Sequence, residues 1–256
     1  MRTKRPPLKR SEAGDYDFSW VRSVLIVHTG SLGDIVHATP VPRAIKSTLP
    51  EARITWLVGD IFRAAAEATP AVDQVLEVPK GYWRQGWTHC LAHAPQAYAQ
   101  YRALFRSLRQ ADYDLAIDLQ EDFVLTTLGR LAGVPYVAGY DDARGKTTLL
   151  TNVQVNCRDP SLGPRGRPIH LVHALGFRAP DTRMQFVVPP QDRERALALM
   201  REKGLGDNHP FAAILPGTSW QSKCWLSERY AELADRLTRE QALTVALVGG
   251  SADQRY

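Results

Sequence analysis

Val24-Leu25-Ile26-Val27-His28 runs straight into Thr29-Gly30-Ser31-Leu32-Gly33-Asp34, and a helical pattern begins at Ile35-Val36-His37-Ala38. Four apolar, largely β-branched residues in an unbroken run read as a strand buried on both faces, as in a parallel sheet. Strand, glycine turn and helix together aim backbone N–H groups at a ligand. Gly30 and Gly33 are expected to allow close backbone approach and positive φ. Asp34 is left at the mouth of the turn. Ser and Asp are also ordinary helix caps. The loop has neither the G-x-G-x-x-G nor the G-x-x-x-x-G-K-[ST] spacing, so spacing alone favours the cap for Ser31 and Asp34 over a ligand role.

Outward from this stretch the pattern repeats. Arg53–Val58 reads as a second strand, Val72–Val78 as a third, Asp114–Leu119 as a fourth and Val134–Tyr140 as a fifth, with helical segments between them. Pro40 and Pro42 predict a kink or late start in the first helix, and Gly133 a helix stop before the fifth strand. Strands alternating with helices indicate a doubly wound parallel sheet. Asp118 and Gln120 fall at the C-terminal end of their strand, the end that faces the ligand crevice in such sheets.

Residues 141–168 look irregular and carry Arg144, Lys146, Arg158, Arg165 and Arg167; a solvated loop and a contact for an anionic substrate are about equally good readings. After Pro189-Pro190 the α/β pattern restarts. Phe211–Leu215 runs into Pro216-Gly217-Thr218-Ser219, with Lys223 four residues past the serine, and Leu243–Val248 ends in Gly249-Gly250. Hydroxyls and free N–H groups accept a diphosphate and a lysine offsets its charge, although a turn beside a surface lysine reads equally well. Roughly 65 residues with two parallel strands bury little core, so this second domain is read as incomplete. The expected division is a flexible basic tail at 1–20, a Rossmann-like domain at 21–180 and the start of a second at 181–256.

Charge and composition narrow the classes. The chain of 256 residues has a net charge of +5, but residues 1–10 (MRTKRPPLKR) hold five Lys/Arg and no acid, which leaves the remainder neutral. A basic tail on a neutral body argues against a nucleic-acid footprint. It suits an arm able to touch an anionic membrane surface, or an untethered terminus. No apolar run approaches the ~20 residues of a membrane span, and no secretory signal is present. Cys90, Cys157 and Cys224 form no C-x-x-C and suit a reducing cytosol. His89/His93 and His170/His173 lack a third ligand, so no metal site is expected.

Gly30-Ser31-Leu32-Gly33-Asp34-Ile35-Val36-His37, with Thr39-Pro40, Leu49-Pro50 and Trp56, resembles the opening of the ADP-heptose:lipopolysaccharide heptosyltransferases, glycosyltransferase family 9. Asp114–Gln120 resembles that family's central strand. Pro216-Gly217-Thr218-Ser219, Lys223, Trp225 and Tyr230-Ala231-Glu232-Leu233 resemble its donor loop. The resemblance implies an α/β fold of GT-B type, two Rossmann-like domains with the second incomplete, the first binding acceptor and the second donor. It implies inverting, metal-independent transfer of heptose from ADP-heptose to the lipopolysaccharide inner core, with no cofactor.

Asp34 is the implied general base in a loop shaped by Gly30, Ser31 and Gly33; Thr218 and Ser219 are the implied diphosphate contacts and Lys223 the phosphate counter-charge. A cytoplasmic location is implied, peripheral on the inner membrane where the lipid A-bearing acceptor lies. The family's D-[ST]-G-x-x-H loop, which holds the donor nucleotide, has no counterpart here, so the chain is read as C-terminally truncated. Two alternatives stand beside this reading: a relative using another nucleotide sugar, and an inactive fragment that binds only acceptor or a partner. A dehydrogenase is disfavoured by the glycine spacing.

Overall fold

The computed structural model describes residues 5–9, 16–78, 94–141, 147–157, 159, 161, 163–178, 181–206, 209–218, 221–250 and 253. The chain divides into two compact units, Met1–Val187 and Val188–Tyr256.

In the first unit the strands are β1 (Ser23–Val27), β2 (Arg53–Gly59), β3 (Gln74–Val78), β4 (Leu115–Asp118), β5 (Tyr136–Tyr140) and β6 (Val153–Val155). They form one sheet in the order β3-β2-β1-β4-β5-β6, parallel at every pairing. The chain steps outward from β1 to β3, then returns to β4 on the other side of β1. That reversal opens a crevice at the C-terminal ends of β1 and β4. The β1 run is buried on both faces as read: Val24 and Ile26 belong to one core, Leu25 and Val27 to the other. Successive side chains of a strand point to opposite faces, so a run with helices on both sides must be apolar throughout.

The first helical segment is two helices, α1 (Leu32–Ala38) and α2 (Pro40–Thr48). Pro40 opens α2 and has no N–H to continue α1. Thr39 serves as the C-cap of one and the N-cap of the other, its hydroxyl donating to the Val36 carbonyl at 2.9 Å. Helix α3 (Arg63–Glu67) precedes β3, α4 (Ala94–Ala111) precedes β4, and α5 (Phe123–Ala132) ends at Gly133 with φ 93°. Only glycine adopts that backbone without strain.

Residues 141–168 hold more structure than their composition indicated: β6, and the start of a helix α6 (Gly163–Ala174) that contains Pro168. Three residues with Gln154 exposed between two buried valines are too short a strand signal to stand out.

The N-terminal arm also departs from expectation. Arg5 donates through Nε to Asp114 Oδ1 at 2.6 Å and through Nη2 to Asp112 Oδ2 at 2.9 Å. The Leu8 N–H donates to the Tyr136 hydroxyl at 3.0 Å, and that hydroxyl donates to the Pro6 carbonyl at 2.7 Å. Residues 5–9 are thereby fastened to the body, and Arg5 is no free cation.

In the second unit α7 (Pro190–Glu202) is followed by β7 (Phe211–Ile214), α8 (Ser227–Gln241) and β8 (Thr244–Leu247). The two strands pair in parallel. Neither helix buries a residue, and Leu247 at the end of β8 is 69% exposed.

Candidate active site

The crevice residues come from the turns after β1 and β4 and from helix α6. The first follows β1. Its Ser31 N–H and hydroxyl both donate to Asp34 Oδ2, each at 2.8 Å, the acid half of a capping box. The cap reading of Asp34 therefore holds for one oxygen. Among the described residues its other oxygen, Oδ1, has no hydrogen-bond partner. His28, buried at the end of the strand, donates through Nε2 to the Asp34 carbonyl at 3.1 Å. Burial pushes the Asp34 carboxyl upward, but the two bonds from Ser31 and the charges of His28 and His37 outweigh it. The net is a pKa below the usual carboxylate range.

The glycines act differently from expectation. Neither Gly30 nor Gly33 has positive φ. At Gly30 the missing side chain is what counts: a Cβ there would lie 2.5 Å from Gln120 Oε1 and 2.7 Å from Asp34 Oδ2. At Gly33 it would meet nothing closer than the Ser31 hydroxyl at 3.8 Å.

The second turn follows β4. Asp118, 1% exposed, accepts from the Thr126 hydroxyl at 2.6 Å, the Glu121 N–H at 2.8 Å and the Gln120 N–H at 3.0 Å. Burial pushes its pKa up to about 6, against those three bonds and with a further push from Asp122. Glu121 sits at φ 58° in the left-handed region that is costly for a side-chain-bearing residue. Asp122 caps α5 by accepting from the Leu125 N–H at 3.1 Å, and the Thr29 hydroxyl donates to it at 3.4 Å. Asp118 thus ties the turn to α5 and fixes where Gln120 projects, a role that its strand-end position alone did not show.

Helix α6 and the end of β5 add a third group. Arg167 pairs with Glu121 at 3.1 Å and stacks its guanidinium 4.3 Å from the centre of the Tyr140 ring. Of the basic residues that marked this region, Arg144, Lys146, Arg158 and the Arg165 side chain lie outside the described residues.

In the second unit the loop after β7 carries Thr218, and Lys223 closes a single 3-10 turn, Gln221–Lys223, exposed to solvent. Ser219 lies outside the described residues, as do His89, His93 and Cys90. Asp253, which the sequence did not single out, reaches into this loop region. It accepts from the Gly250 N–H at 2.8 Å, and a Cβ on Gly217 would overlap its carboxylate. Among the described residues no group of three His, Cys, Asp or Glu is placed to hold a metal, and no helix is long and apolar enough to cross a membrane.

A family profile described as glycosyltransferase family 9 (heptosyltransferase) matches residues 101–255, more than half of the chain. This chain belongs to glycosyltransferase family 9. It is 28% identical over 232 residues to lipopolysaccharide heptosyltransferase 1 of Pseudomonas aeruginosa, covering 91% of this chain and 62% of that protein. The crystal structure of a family 9 glycosyl transferase from Veillonella parvula matches with a TM-score of 0.74 at 18% identity, over 91% of this chain and 64% of that one. Escherichia coli heptosyltransferase WaaC with ADP-2-deoxy-2-fluoro heptose matches with a TM-score of 0.69 at 23% identity, over 91% and 71%. The chain therefore spans about 62% of the length of the Pseudomonas relative. The first loop, Gly30 to Asp34, precedes the segment that the family profile covers.

Proposed function

We propose that this chain transfers heptose from ADP-heptose to the inner core of lipopolysaccharide by direct, inverting displacement without a metal. Its relative is named for lipopolysaccharide heptosyl transfer, and a structural relative holds an ADP-heptose analogue. The observation that carries the reading is the Asp34 carboxylate at the crevice beside β1, one oxygen anchored by Ser31 and the other unengaged among the described residues.

In this scheme Asp34 Oδ1 takes the proton of an acceptor hydroxyl as that oxygen attacks the anomeric carbon. ADP leaves with its charge offset by Lys223 and by the hydroxyls of Thr218 and Ser219. The first unit receives acceptor and the second receives donor. A carboxylate with a lowered pKa is a weak base at rest, so proton transfer comes late, once bond formation has made the hydroxyl acidic. Arg2, Lys4, Lys9 and Arg10 contribute to docking on the cytoplasmic membrane face, where the lipid-borne acceptor is presented.

Asp34→Asn tests the assignment. Asn caps about as well as Asp: its carbonyl accepts both Ser31 bonds, so melting temperature and donor binding stay nearly unchanged. Turnover of ADP-heptose falls roughly 10²–10⁴-fold. Turnover within a few-fold of the parent returns Asp34 to a purely capping role. A second reading, in which residues 1–256 alone bind acceptor without transfer, is favoured by the thin core of the second unit, where Leu215, Leu247 and Val248 are exposed. Acceptor binding without consumption of ADP-heptose by this chain would select it. Consumption of a different nucleotide sugar would keep the mechanism and change the donor.

A further inference from the structure

Helices α4 and α5 cover one face of the sheet, with Leu104 and Leu108 of the first and Leu125 and Ala132 of the second in the same core. Their outer surface carries an unusual charge pattern. The 18 residues of α4 and the 10 of α5 include no Asp or Glu. Helix α4 repeats arginine at 102, 106 and 109, neighbouring positions on one side of a helix. Arg102 and Arg106 are exposed and have no ion pair among the described residues. On the helices across the sheet, Arg43, Lys46, Arg63 and Arg167 are each paired with an acid. Apolar side chains are interleaved with the free cations. Tyr98, one turn before Arg102, is 69% exposed and Leu131 of α5 is 68% exposed, with Phe123 and Val124 also in solvent.

We propose that the outer face of α4 and α5 docks on an anionic lipid bilayer, an inference that rests on the membrane-docking part of the glycosyl-transfer reading and gives it a surface. Arginines without acid partners attract anionic headgroups, and exposed apolar side chains on the same layer are buried among those headgroups on contact. A nucleic acid would use the arginines and gain little from Leu131. The two ends of the face fit the same occupant. At one end Arg5 fastens the N-terminal arm to Asp112 and Asp114, which directly follow α4, so residues 1–4, with Arg2 and Lys4, are tethered beside its last turn. At the other end Phe123 and Val124 follow Asp122, which the Thr29 hydroxyl meets at 3.4 Å. A bilayer against this face therefore lies along the edge of the crevice that holds Asp34, where a lipid-borne acceptor has to arrive.

The test is flotation of the 256-residue chain with vesicles of phosphatidylglycerol and phosphatidylethanolamine, against phosphatidylcholine alone. Arg102→Gln combined with Arg106→Gln should weaken binding to the anionic vesicles by up to about 30-fold at low salt, the scale of two basic contacts, and the deficit should shrink as salt is raised. Tyr98→Ser combined with Leu131→Gln should weaken it by about ten-fold at every salt concentration, the scale of partly buried apolar side chains. Both pairs should melt with the parent, since all four side chains are exposed. Arg193→Gln combined with Arg195→Gln removes the same charge from exposed positions on α7 and should bind as the parent does.

An equal loss in the α7 pair overturns the proposal, because the vesicles would then sense net charge and no particular face. A loss in the α4 arginine pair with Tyr98→Ser and Leu131→Gln silent also overturns it, since attraction to any polyanion would behave that way. Parent-like binding by both helix variants, with exchange of Arg2, Lys4, Lys9 and Arg10 for Gln abolishing it, removes this face and leaves docking to the arm. A parent that binds no anionic vesicle overturns the docking reading as a whole, while the transfer chemistry at Asp34 is judged separately by Asp34→Asn.

Discussion

Asp34 and Asp118 are carboxylates beside adjacent strand ends, and their surroundings push them in opposite directions. Asp34 is half-buried and stays ionised through the bonds from Ser31, against its burial. Asp118 is wholly enclosed, and burial raises it to about 6 from an ordinary 3.8 despite three bonds. A carboxyl whose folded pKa is raised holds its proton more tightly in the folded state. Its contribution to stability therefore diminishes as pH rises from about 4 to about 6 and is level above that. The displacement corresponds to about 3 kcal/mol. Asp118→Asn removes the titration and keeps the geometry, with its carbonyl accepting from Gln120 and Glu121 and its amide donating to the Thr126 oxygen. Denaturant titrations at several pH values should show the parent losing stability across that window and the variant staying flat, with the variant the more stable at neutral pH. Parallel curves would remove Asp118 as the source. Asp34 has the opposite sign. Its contribution is present above 3.8 and is lost as pH falls through its lower folded value, so it does not confuse the measurement.

At the scale of elements, the legible features are those whose physics is local. The β1 run announced a doubly buried strand because both faces must be apolar under helices, and Gly133 announced a helix end because the backbone there needs φ 93°. Pro40 announced a break, and it falls at Thr39. Long-range partners were not legible. Nothing local says that Arg5 closes on Asp114, more than a hundred residues away, that Gln120 meets Gly30, or that Asp118 anchors a turn through Thr126. The loop glycines show the same limit. Their presence was readable, but whether Gly30 served positive φ or close approach depended on a side chain from another turn. Helix α5 offers a test of the local kind. Asp122 accepts from the Leu125 N–H at its start, so Asp122→Ala should cost about 1 kcal/mol of stability and Asp122→Asn far less. A silent Asp122→Ala would show that the exposed first turn, with Phe123 and Val124 largely in solvent, satisfies that N–H with water.

The whole molecule carries its excess charge in one place, and the structure commits one of those cations to the fold. Of the five cations in residues 1–10, Arg5 is committed to Asp112 and Asp114 with its side chain only 16% exposed. Asp114 also accepts from the Arg22 and Ser23 N–H groups at the head of β1, so Arg5 serves the fold. Removing it leaves a mostly buried carboxylate short of a charged partner, at a cost of about 1.5–3 kcal/mol. Arg2, Lys4, Lys9 and Arg10 are the remaining cations of the segment. Near an anionic bilayer each contributes up to about 1 kcal/mol, screened over about 8 Å at physiological salt. Deleting the whole segment would mix the two effects, so the separating variants are Arg5→Ala and the fourfold exchange of Arg2, Lys4, Lys9 and Arg10 for Gln. Arg5→Ala should lower the melting temperature and leave binding to phosphatidylglycerol-containing vesicles nearly intact. The fourfold variant should melt with the parent and bind such vesicles more weakly, the difference shrinking as salt is raised and vanishing on neutral vesicles. Unchanged binding by the fourfold variant would end the membrane role of the segment, and what remains of it would be the anchor that Arg5 provides.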